Sequence, residues 1–464
     1  MKVKKVFLTG IGGIGMCGVA GILKELGFEV AGSEKDTLYP PASDVLNDLK
    51  VKVYPYNQEN IKSFSPDAVI FGNAISKDHP EFLITKELGI PYFSFPEFLE
   101  RFVFLQKKVL VCAGTHGKTT TTTLLAFLME KLGLCPGYLI GGLPRNEIKN
   151  YSAGKGEWFV IEGDEYPSAS FDRRAKFLHY APFGAILTSI EHDHLDVYPE
   201  FKALKEVFKN FVELLPENGT LVYNSDDETV KEVILSSNCK AKLVSFGTSS
   251  EADFRLTRVK TGFINGRFET KVAFKYSQGE AEFTLPLLGK HNALNAISVI
   301  ALLFSIGLMS KKDLYLFSKF PGVKRRQEVV YQDETLIVID DFAHHPTAVK
   351  LTLSEIISAV NPEKTTVVFE PRTNSSKRRF FESDYVEALS IADVIILKKP
   401  PGLEKVPEEQ RINIQNIIKR LKALGKEADI LENRVKLLRN TKGLLVCMSS
   451  AYMGEVLDRF KGRL

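Results

Sequence analysis

A strand-like apolar run that leads through a Gly/Thr-rich loop into a helix constrains the fold of this chain most strongly. The run covers residues 109–113, and an apolar helical stretch is predicted over residues 124–132; the loop between them reads Gly114-Thr115-His116-Gly117-Lys118-Thr119-Thr120. Backbone N–H groups of such a loop can wrap a triphosphate, while Lys118 neutralises the β- and γ-oxygens and the Thr119 hydroxyl ligates Mg²⁺. Cys112 replaces the glycine of a strict Walker A motif. The segment therefore predicts a P-loop ATP site in a parallel α/β domain, with a turn that binds nothing as the alternative.

A second glycine-rich loop lies near the start of the sequence. Gly10-Ile11-Gly12-Gly13-Ile14-Gly15 follows a predicted strand at residues 5–9, and Ser33 and Glu34 follow the next strand, at residues 29–32. This pattern fits a nucleotide whose pyrophosphate faces a helix N-terminus and whose ribose contacts Glu34. The motif does not distinguish NAD from a UDP-sugar, and a turn that only packs against its neighbours is the alternative.

Strand and helix patterns recur in three blocks, and 464 residues exceed what one hydrophobic core accommodates. We predict an α/β protein with a Rossmann-like N-terminal domain over residues 1–107, a central P-loop ATPase domain over residues 108–321 and a Rossmann-like C-terminal domain over residues 322–464. A hairpin is predicted over residues 263–283, with its turn at Asn265-Gly266. Further strands are predicted at residues 67–71, 158–162, 185–190, 219–224, 336–340, 365–369 and 444–448.

Composition narrows the environment and the partners of the chain. The formal net charge of +4 gives no nucleic-acid footprint. The five cysteines are odd in number and form no CxxC pair, which favours a reducing cytoplasm over a disulfide framework. No segment offers about 20 uninterrupted apolar residues, so no membrane partner is expected.

Acidic and histidine residues follow two strands of the central domain. The clusters read Glu162-Gly163-Asp164-Glu165 and Glu191-His192-Asp193-His194-Leu195-Asp196. Ligands bind at the carboxyl ends of parallel strands, and carboxylates are suitable ligands for Mg²⁺. Zinc held by the His-Asp-His run is an alternative, but Mg²⁺ is the expected partner of an ATP loop. Solvated acidic loops without an ion are the other alternative.

Two further polar clusters follow strands of the C-terminal domain. They read Asp340-Asp341-Phe342-Ala343-His344-His345-Pro346 and Glu370-Pro371-Arg372-Thr373-Asn374. Arg372 could clamp a carboxylate, and Asp341 or His344 could contact a nucleotide. The basic run Lys324-Arg325-Arg326 could contact a phosphate when the domains close, or could be a solvated linker. Each of these residues could instead form an ordinary cap or loop hydrogen bond.

Several of these motifs, in this order, resemble the Mur ligase family. They are the 114–120 loop, the cluster beginning at Glu162, His194 in Asp193-His194-Leu195-Asp196, the stretch Gly289-Lys290-His291-Asn292-Ala293-Leu294-Asn295-Ala296, and the cluster beginning at Asp340. The resemblance implies an N-terminal domain that binds a UDP substrate, a central ATPase domain and a C-terminal domain that receives an amine. It also implies that ATP phosphorylates a carboxylate and that an amine attacks the acyl phosphate, releasing ADP and phosphate.

Site roles follow from the resemblance position by position. Lys118, Glu162 and His194 would be catalytic; Thr119 and Glu162 would hold one Mg²⁺, and His194 would help to hold a second. ATP would contact Gly114, Thr115, His116, Gly117, Lys118, Thr119, Thr120, His291, Asn292, Asn295, Arg326 and Asp341. The UDP substrate would contact Gly10, Ile11, Gly12, Gly13, Ile14, Gly15, Ser33 and Glu34, and the amine substrate would contact Arg372 and His344. Many relatives carry a carbamylated lysine, whose position falls near Phe208 or Lys209 here.

The amine substrate is expected to be the tripeptide L-Ala-γ-D-Glu-meso-diaminopimelate, joined to UDP-N-acetylmuramate in peptidoglycan recycling. Three features favour it: the long stretch over residues 166–180, the Asp-Phe-Ala-His-His form of the cluster at Asp341, and Glu370-Pro371-Arg372-Thr373-Asn374. L-Alanine, the substrate of primary synthesis, is the alternative. A folate-polyglutamating ligase, a nicotinamide dehydrogenase and an ATP-switched binding protein fit fewer motifs. A monomer or weak homo-oligomer is expected.

Overall fold

The structure, a computed structural model, describes residues 3–38, 42–145, 148–434, 438 and 441–460. The ends of the predicted outer domains, residues 1–2 and 461–464, lie outside these ranges. Within the described residues the strands form sheets of five, ten and six strands that follow one another along the chain. This arrangement confirms the predicted three-domain α/β fold, whereas the boundaries after residues 107 and 321 stay predictions. In the described part of the chain no helix combines the length and the apolar character needed to cross a membrane.

The first sheet is parallel, and its glycine loop lies where the strand order reverses. Its strands are β1 (Lys5–Thr9), β2 (Glu29–Glu34), β3 (Lys52–Pro55), β4 (Ala68–Phe71) and β5 (Tyr92–Ser94), and its helices are α1 (Ile14–Glu25), α2 (Ala42–Asp48), α3 (Gln58–Phe64), α4 (Pro80–Glu87) and α5 (Phe95–Phe102). The order is β3-β2-β1-β4-β5. Val6 and Leu8 pack into the core that contains α1, while Phe7 packs into the core on the other face. The loop after β1 therefore occupies the switch point at which such sheets bind ligands.

The second sheet carries the phosphate loop at its centre. Its strands are β6 (Lys108–Ala113), β7 (Gly137–Leu139), β8 (Tyr151–Ser152), β9 (Trp158–Gly163), β10 (Gly184–Leu187), β11 (Thr220–Asn224), β12 (Lys242–Gly247), β13 (Phe254–Ile264), β14 (Arg267–Tyr276) and β15 (Gly279–Leu285). Its helices are α6 (Lys118–Lys131), α7 (Phe201–Val212), α8 (Glu228–Ser236) and α9 (Lys290–Ser305). Strand β6 pairs in parallel with β9 on one side and β10 on the other. The carboxyl ends of these three strands therefore meet at one edge.

Three predicted elements of this domain differ from the structure. Helix α6 begins at Lys118 rather than residue 124 because the threonine run is helical, with Thr123 Oγ1 donating to the Thr119 carbonyl at 2.6 Å. Strand β10 ends at Leu187 because the Thr188 hydroxyl turns to donate to the His116 carbonyl at 2.6 Å. The Asn265-Gly266 turn is confirmed, with φ of 50° and 74°, but it joins β13 and β14. The hairpin therefore starts at Phe254, and β15 adds a third strand.

The third sheet places two of the predicted clusters at one edge. Its strands are β16 (Glu328–Gln332), β17 (Leu336–Asp341), β18 (Thr365–Glu370), β19 (Val394–Leu397), β20 (Glu427–Ile430) and β21 (Gly443–Ser449). Its helices are α10 (Pro346–Val360), α11 (Glu382–Leu389), α12 (Ile414–Ala423), α13 (Leu431–Arg434) and α14 (Gly454–Leu457). Strand β21 pairs in parallel with both β17 and β18. Asp341 and Glu370, which end β17 and β18, therefore flank the end of β21.

The 166–180 segment, which follows β9, attaches the N-terminal domain to the central domain. The Phe171 ring stacks on Phe82 with 5.5 Å between centroids and meets the edge of Tyr92 at 5.1 Å. The His179 side chain is fully buried, with its ring nitrogens 2.8 Å from carboxylate oxygens of Glu100 and Asp172. Glu100 belongs to α5, so this segment joins the two domains by an aromatic contact and a polar one.

Candidate active site

The 114–120 loop leaves β6 in a conformation that only glycine adopts easily at two positions. Gly114 has φ of +126°, and a Cβ atom there would lie 2.3 Å from Thr188 Oγ1. Gly117 has φ of +80°, and a Cβ atom there would lie 2.7 Å from Asn295 Oδ1. No side chain caps the N-terminus of α6. Its first N–H groups and its positive dipole end therefore face the loop, as binding of a phosphate requires.

Lys118 lies in this loop with its charge held by a buried carboxylate. Its Nζ donates to the Gly114 carbonyl at 2.7 Å and to Glu165 Oε2 at 2.9 Å, and the Glu165 side chain is fully buried. Burial lowers the pKa of Lys118, but the neighbouring carboxylates, with Glu165 foremost, outweigh burial and raise the pKa. Lys118 is therefore a fixed cation at the mouth of the loop. The sequence motif contained Glu165 but gave no signal for this pairing.

Thr119 and Glu162 meet as predicted for a magnesium site. The Thr119 hydroxyl donates to Glu162 Oε1 at 2.7 Å, while Glu162 Oε2 accepts a hydrogen bond from the Gly141 N–H at 2.8 Å. Strand β9 brings Glu162 beside the first turn of α6 because β9 pairs directly with β6. A hydroxyl and a carboxylate next to a phosphate loop form an oxygen donor set that fits Mg²⁺. These two residues could therefore hold the ion that a nucleotide brings.

A second cluster forms around His194. Its Nε2 lies 3.2 Å from Glu165 Oε1, and ligand atoms of Asp164, Glu165 and His194 lie within 4.8 Å of one another. Burial lowers the pKa of His194, but Glu165 and Asp193 raise it to about 9. Without an ion the imidazole is therefore protonated, and a second cation would have to displace its proton. Asp164 and Glu165 thus add two carboxylates to that of Glu162 at this edge of the sheet.

Two other expectations from the sequence concern His192 in the zinc alternative and Phe208 or Lys209 near the carbamylated lysine position of relatives. His192 is turned away from His194, with its Nε2 2.9 Å from the Tyr198 carbonyl and its ring stacked on Phe201. The zinc alternative, which required both histidines, is therefore not supported. Phe208 is fully buried, and Lys209 lines a surface groove with Lys205 and Glu206. None of the described hydrogen bonds or ion pairs joins Phe208 or Lys209 to Asp164, Glu165 or His194.

Glu191 connects the phosphate loop to the C-terminal domain. Its Oε2 lies 3.3 Å from His116 Nε2 and accepts a hydrogen bond from Thr347 Oγ1 at 2.8 Å. His345 Nδ1 lies 3.6 Å from the same oxygen, and burial lowers the pKa of His345 to about 4. Thr347 and His345 stand at the start of α10. The beginning of this helix therefore closes over the phosphate loop, a contact that the sequence motifs did not reveal.

Arg326 and Asp341 lie together on the C-terminal side of the site. Burial lowers the pKa of Arg326, and the negative charges of Asp341 and Glu162 oppose this effect. The Asp341 carboxylate accepts hydrogen bonds from the N–H groups of Gln327 at 2.7 Å and Ala343 at 2.8 Å. Arg325 instead donates to Asp340 and to the Ser449 carbonyl. Arg325 thus has a structural role in the C-terminal domain, whereas Arg326 is the arginine on the side of the predicted ATP site.

The start of α9 lies beside the phosphate loop, as the resemblance predicts. Asn295 contacts Gly117, while the Asn292 amide donates to the Leu288 carbonyl at 2.8 Å and is buried. The His291 Nδ1 lies 2.7 Å from Glu355 Oε2, and Glu355 Oε1 accepts a hydrogen bond from the Lys290 N–H at 2.8 Å. Glu355 belongs to α10. This second contact between the domains had no local sequence signal.

The N-terminal glycine loop is tied to both of the predicted polar residues. Gly12 N–H donates to Glu34 Oε2 at 2.7 Å, and the Tyr56 hydroxyl donates to Glu34 Oε1 at 2.9 Å. The Ser33 hydroxyl donates to Glu81 at 2.5 Å and is fully buried. Ile11 is also buried, so only its backbone could reach a ligand. Glu81, a buried carboxylate that Thr9 and Asn60 also contact, is the residue that sequence reasoning missed here.

Arg372 and His344, predicted to meet the amine, lie in the loops that follow β18 and β17. The Arg372 side chain is 40% exposed, with Nη1 3.7 Å from Glu370 Oε1. Burial lowers the pKa of His344 to about 4, and its Nδ1 lies 3.1 Å from the Phe342 carbonyl. The loop that carries Arg372 also reaches the central domain, because Asn374 Nδ2 donates to Asp196 Oδ2 at 3.0 Å. The Leu195 N–H also donates to Ser375 Oγ at 3.3 Å, so the Arg372 loop lies against the loop that carries His194. We call the boundary between these two loops the cleft.

Comparison with family models covers most of the chain. Residues 5–105 match the model described as Mur ligase family, catalytic domain. Residues 112–303 match the Mur ligase middle domain, and residues 325–450 match the Mur ligase, glutamate ligase domain. The three matches follow the order of the three sheets.

Similar proteins include enzymes with two different amine substrates. The UDP-N-acetylmuramate–L-alanyl-γ-D-glutamyl-meso-2,6-diaminoheptandioate ligase of Haemophilus influenzae is 33% identical over 404 residues, covering 86% of each chain. The UDP-N-acetylmuramate–L-alanine ligase of Caldicellulosiruptor saccharolyticus is 33% identical over 394 residues, covering 85% of this chain and 83% of the relative. Among solved structures, a murein peptide ligase of Psychrobacter arcticus has a TM-score of 0.74 at 27% identity, covering 98% of both chains. The UDP-N-acetylmuramate–alanine ligase of Thermotoga maritima has a TM-score of 0.80 at 26% identity, covering 100% of this chain and 99% of that one.

Proposed function

The chain belongs to the Mur ligase family of ATP-dependent ligases that form amide bonds, and we propose that it joins UDP-N-acetylmuramate to the tripeptide L-alanyl-γ-D-glutamyl-meso-2,6-diaminoheptanedioate. Family membership argues against a dehydrogenase and against a binding protein that only switches with ATP. Relatives that use the tripeptide and relatives that use L-alanine are similarly close to this chain. The choice of amine therefore rests on this chain's own residues.

One observation carries the choice of the tripeptide. Arg372 is a partly exposed guanidinium at the edge of the cleft, on a loop that touches Asp196 of the central domain. A guanidinium in this position would bind a carboxylate of the incoming amine substrate. L-Alanine could offer only the carboxylate next to its reacting amine, whereas the tripeptide also offers carboxylates away from that amine, which would reach a guanidinium at the edge of the site. The long 166–180 segment and the Asp-Phe-Ala-His-His form of the cluster at Asp341 are consistent with the same substrate.

In the first step a carboxylate oxygen of UDP-N-acetylmuramate would attack the γ-phosphorus of ATP, and the bond to ADP would break. Lys118 would exchange its contact with Glu165 for the phosphoryl oxygens, where a fixed cation stabilises the charge that develops in transfer. Mg²⁺, when bound at Thr119 and Glu162, would neutralise further phosphate charge. Arg326 and Asp341 would complete the nucleotide site from the C-terminal domain.

In the second step the amine nitrogen would attack the acyl carbon, form a tetrahedral intermediate and expel inorganic phosphate. Arg372 would orient the tripeptide so that its alanyl amine faces the acyl phosphate. The contacts of Glu191 with His116 and Thr347 would hold the C-terminal domain over the loop and exclude water, which would otherwise hydrolyse the intermediate. Closure of the C-terminal domain would thus complete the site.

The test is phosphate release by purified protein with Mg-ATP and UDP-N-acetylmuramate, with the tripeptide, L-alanine or no amine added, and with the product mass measured. Tripeptide-dependent release with the mass of the UDP-linked tripeptide is expected. Release that depends on L-alanine alone would assign the chain to the alternative substrate of primary synthesis. If neither the tripeptide nor L-alanine stimulates phosphate release, both assignments are overturned.

A further inference from the structure

Basic side chains from two loops of the C-terminal domain converge beyond Arg372. Lys377 follows the Arg372 loop, and Lys405 follows β19 after the turn at Gly402. A Cβ atom at Gly402 would lie 3.6 Å from Lys377 Nζ and 3.9 Å from Lys405 Cδ, so both lysine side chains pass over this glycine. We call Arg372, Lys377 and Lys405 the basic patch.

Arg372 shares the Glu370 carboxylate with Lys398, but the two lysines of the basic patch are not neutralised in this way. Lys398 Nζ lies 3.2 Å from Glu370 Oε1 and 2.8 Å from Glu455 Oε1. Within the described contacts, the ammonium groups of Lys377 and Lys405 form no ion pair and no hydrogen bond. Glu404 is the acidic side chain nearest to this pair in sequence, and it is exposed. Glu404 and Glu370 partly offset the charge of Lys377, but among the described residues no carboxylate contacts the ammonium group of Lys377 or Lys405, an arrangement that leaves both groups open to an anion.

The backbone holds Lys377 in place without using its charge. The Lys377 N–H donates to the Thr373 carbonyl at 3.1 Å, and its own carbonyl accepts a hydrogen bond from the Ile412 N–H at 2.8 Å. Burial lowers the pKa of Lys377, and Arg372 lowers it further. An anion bound between Lys377 and Arg372 would relieve this repulsion. The patch is thus preorganised on the same loop that contacts the cleft.

The two candidate amines differ in the carboxylates that they could offer to this patch. L-Alanine has one carboxylate, on the carbon that bears its reacting amine. The tripeptide has a further carboxylate on its glutamyl residue and two on its diaminoheptanedioyl residue, and in an extended peptide the latter two lie about 10 Å or more from the alanyl amine. Cations set beyond Arg372 are therefore useful for the tripeptide and out of reach for L-alanine.

We propose that Lys377 and Lys405 form, with Arg372, the subsite that binds the distal carboxylates of the tripeptide and so selects it over L-alanine. This inference rests on the proposed function. Lys377 and Lys405 are positioned to add binding energy rather than to act on the reacting atoms. Their loss should therefore raise KM for the amine and leave kcat and KM for ATP nearly unchanged.

The experiment compares K377M, K405M and the double variant with the wild-type protein in steady-state ligation. K419M is the matched control, because Lys419 is an exposed lysine on α12 of the same domain. We expect each patch variant to raise KM for the tripeptide about ten-fold, and the double variant to raise it further, as loss of charge-assisted hydrogen bonds predicts. K419M should change KM less than two-fold. Unchanged KM for ATP shows that the variants are folded.

A second tripeptide, with one carboxylate fewer, tests which carboxylate of the substrate the basic patch contacts. L-Ala-γ-D-Glu-L-Lys lacks one distal carboxylate, so at least one of the patch variants should lose most of its effect on KM with this tripeptide. If the wild-type protein ligates the tripeptide but the double variant behaves like K419M, the subsite assignment is wrong and the proposed function stands. If the wild-type protein ligates L-alanine and not the tripeptide, both are overturned.

Discussion

The ammonium nitrogen of Lys118 lies 2.9 Å from Glu165 Oε2, a carboxylate oxygen of a side chain that is fully buried. The pair links the first turn of α6 to the end of β9, the two elements that would hold the phosphates and the metal. Glu165 would keep Lys118 oriented before nucleotide binds. An ATP phosphate would then compete with Glu165 for the same ammonium group. Both the chemistry and the stability of the central domain should depend on this pair.

Replacement of Lys118 by alanine should abolish most ligase activity. The transferring phosphoryl group would lose its fixed cation, and loss of one such stabilising group typically lowers kcat roughly 10²- to 10³-fold. Phosphate release with both substrates measures the effect, and Lys202→Ala on the exposed face of α7 serves as the control. Retention of more than about a tenth of wild-type turnover would contradict the role assigned to Lys118.

Replacement of Glu165 by glutamine should destabilise the central domain by about 3 kcal/mol, because it leaves a buried charge without its partner. Glu157→Gln is the matched control: Glu157 pairs with Lys108 at the same 2.9 Å, but both side chains are about half exposed. The control should cost less than about 1 kcal/mol. Urea unfolding followed by fluorescence of Trp158, the only tryptophan and a residue of β9, reports on this domain. Equal losses would refute the argument.

His345 should make the protein less stable in acid. Burial lowers the pKa of His345 to about 4, below the usual value of 6.5, so the folded state favours the neutral ring. Its contribution is present above pH 6.5 and is lost as pH falls toward 4, by about 3 kcal/mol in all. The unfolding temperature of His345→Asn should therefore fall less than that of the wild type between pH 7 and pH 4.5. Parallel decreases would show that His345 does not supply this dependence.

Replacement of Glu355 by alanine should weaken nucleotide binding. Glu355 holds α10 against Lys290 and His291 at the start of α9. In the proposed function, a closed C-terminal domain would bring Arg326 and Asp341 to the nucleotide. We expect KM for ATP to rise about ten-fold, as for loss of a hydrogen-bonded charge. Glu363→Ala, an exposed residue just after α10, is the control. An unchanged KM would mean that closure does not depend on this contact.

Features that depend on local sequence patterns, such as strands and glycine-rich loops, were predicted from the sequence. Residues 5–9 formed a strand as predicted, and the 114–120 loop and Glu162 came together because their strands are neighbours in a parallel sheet. The threonine run after Lys118 was predicted wrongly as loop, since hydroxyl hydrogen bonds to the preceding turn kept it helical. Strand and loop chemistry thus followed from periodicity and glycine placement, while the helix start did not.

Polar contacts between residues far apart in sequence, within a domain or between domains, could not be predicted in the same way. Glu355 lies in the middle of a helix, 65 positions from Lys290, and Glu81 lies 48 positions from Ser33. Nothing in the adjacent residues distinguishes these carboxylates from solvated ones, because their partners depend on how whole sheets pack. Long-range polar pairing of this kind is fixed by tertiary structure and leaves no periodic trace.

The position of Phe171 bears on how such enzymes can be recombined. Its ring belongs to the 166–180 segment of the central domain, yet it stacks on Phe82 and meets the edge of Tyr92, both in the N-terminal domain. A chimera that exchanged only the N-terminal domain for that of a relative would leave this ring against a foreign surface. An exchangeable module is therefore discontinuous in sequence, because it has to include the 166–180 segment as well as the N-terminal domain.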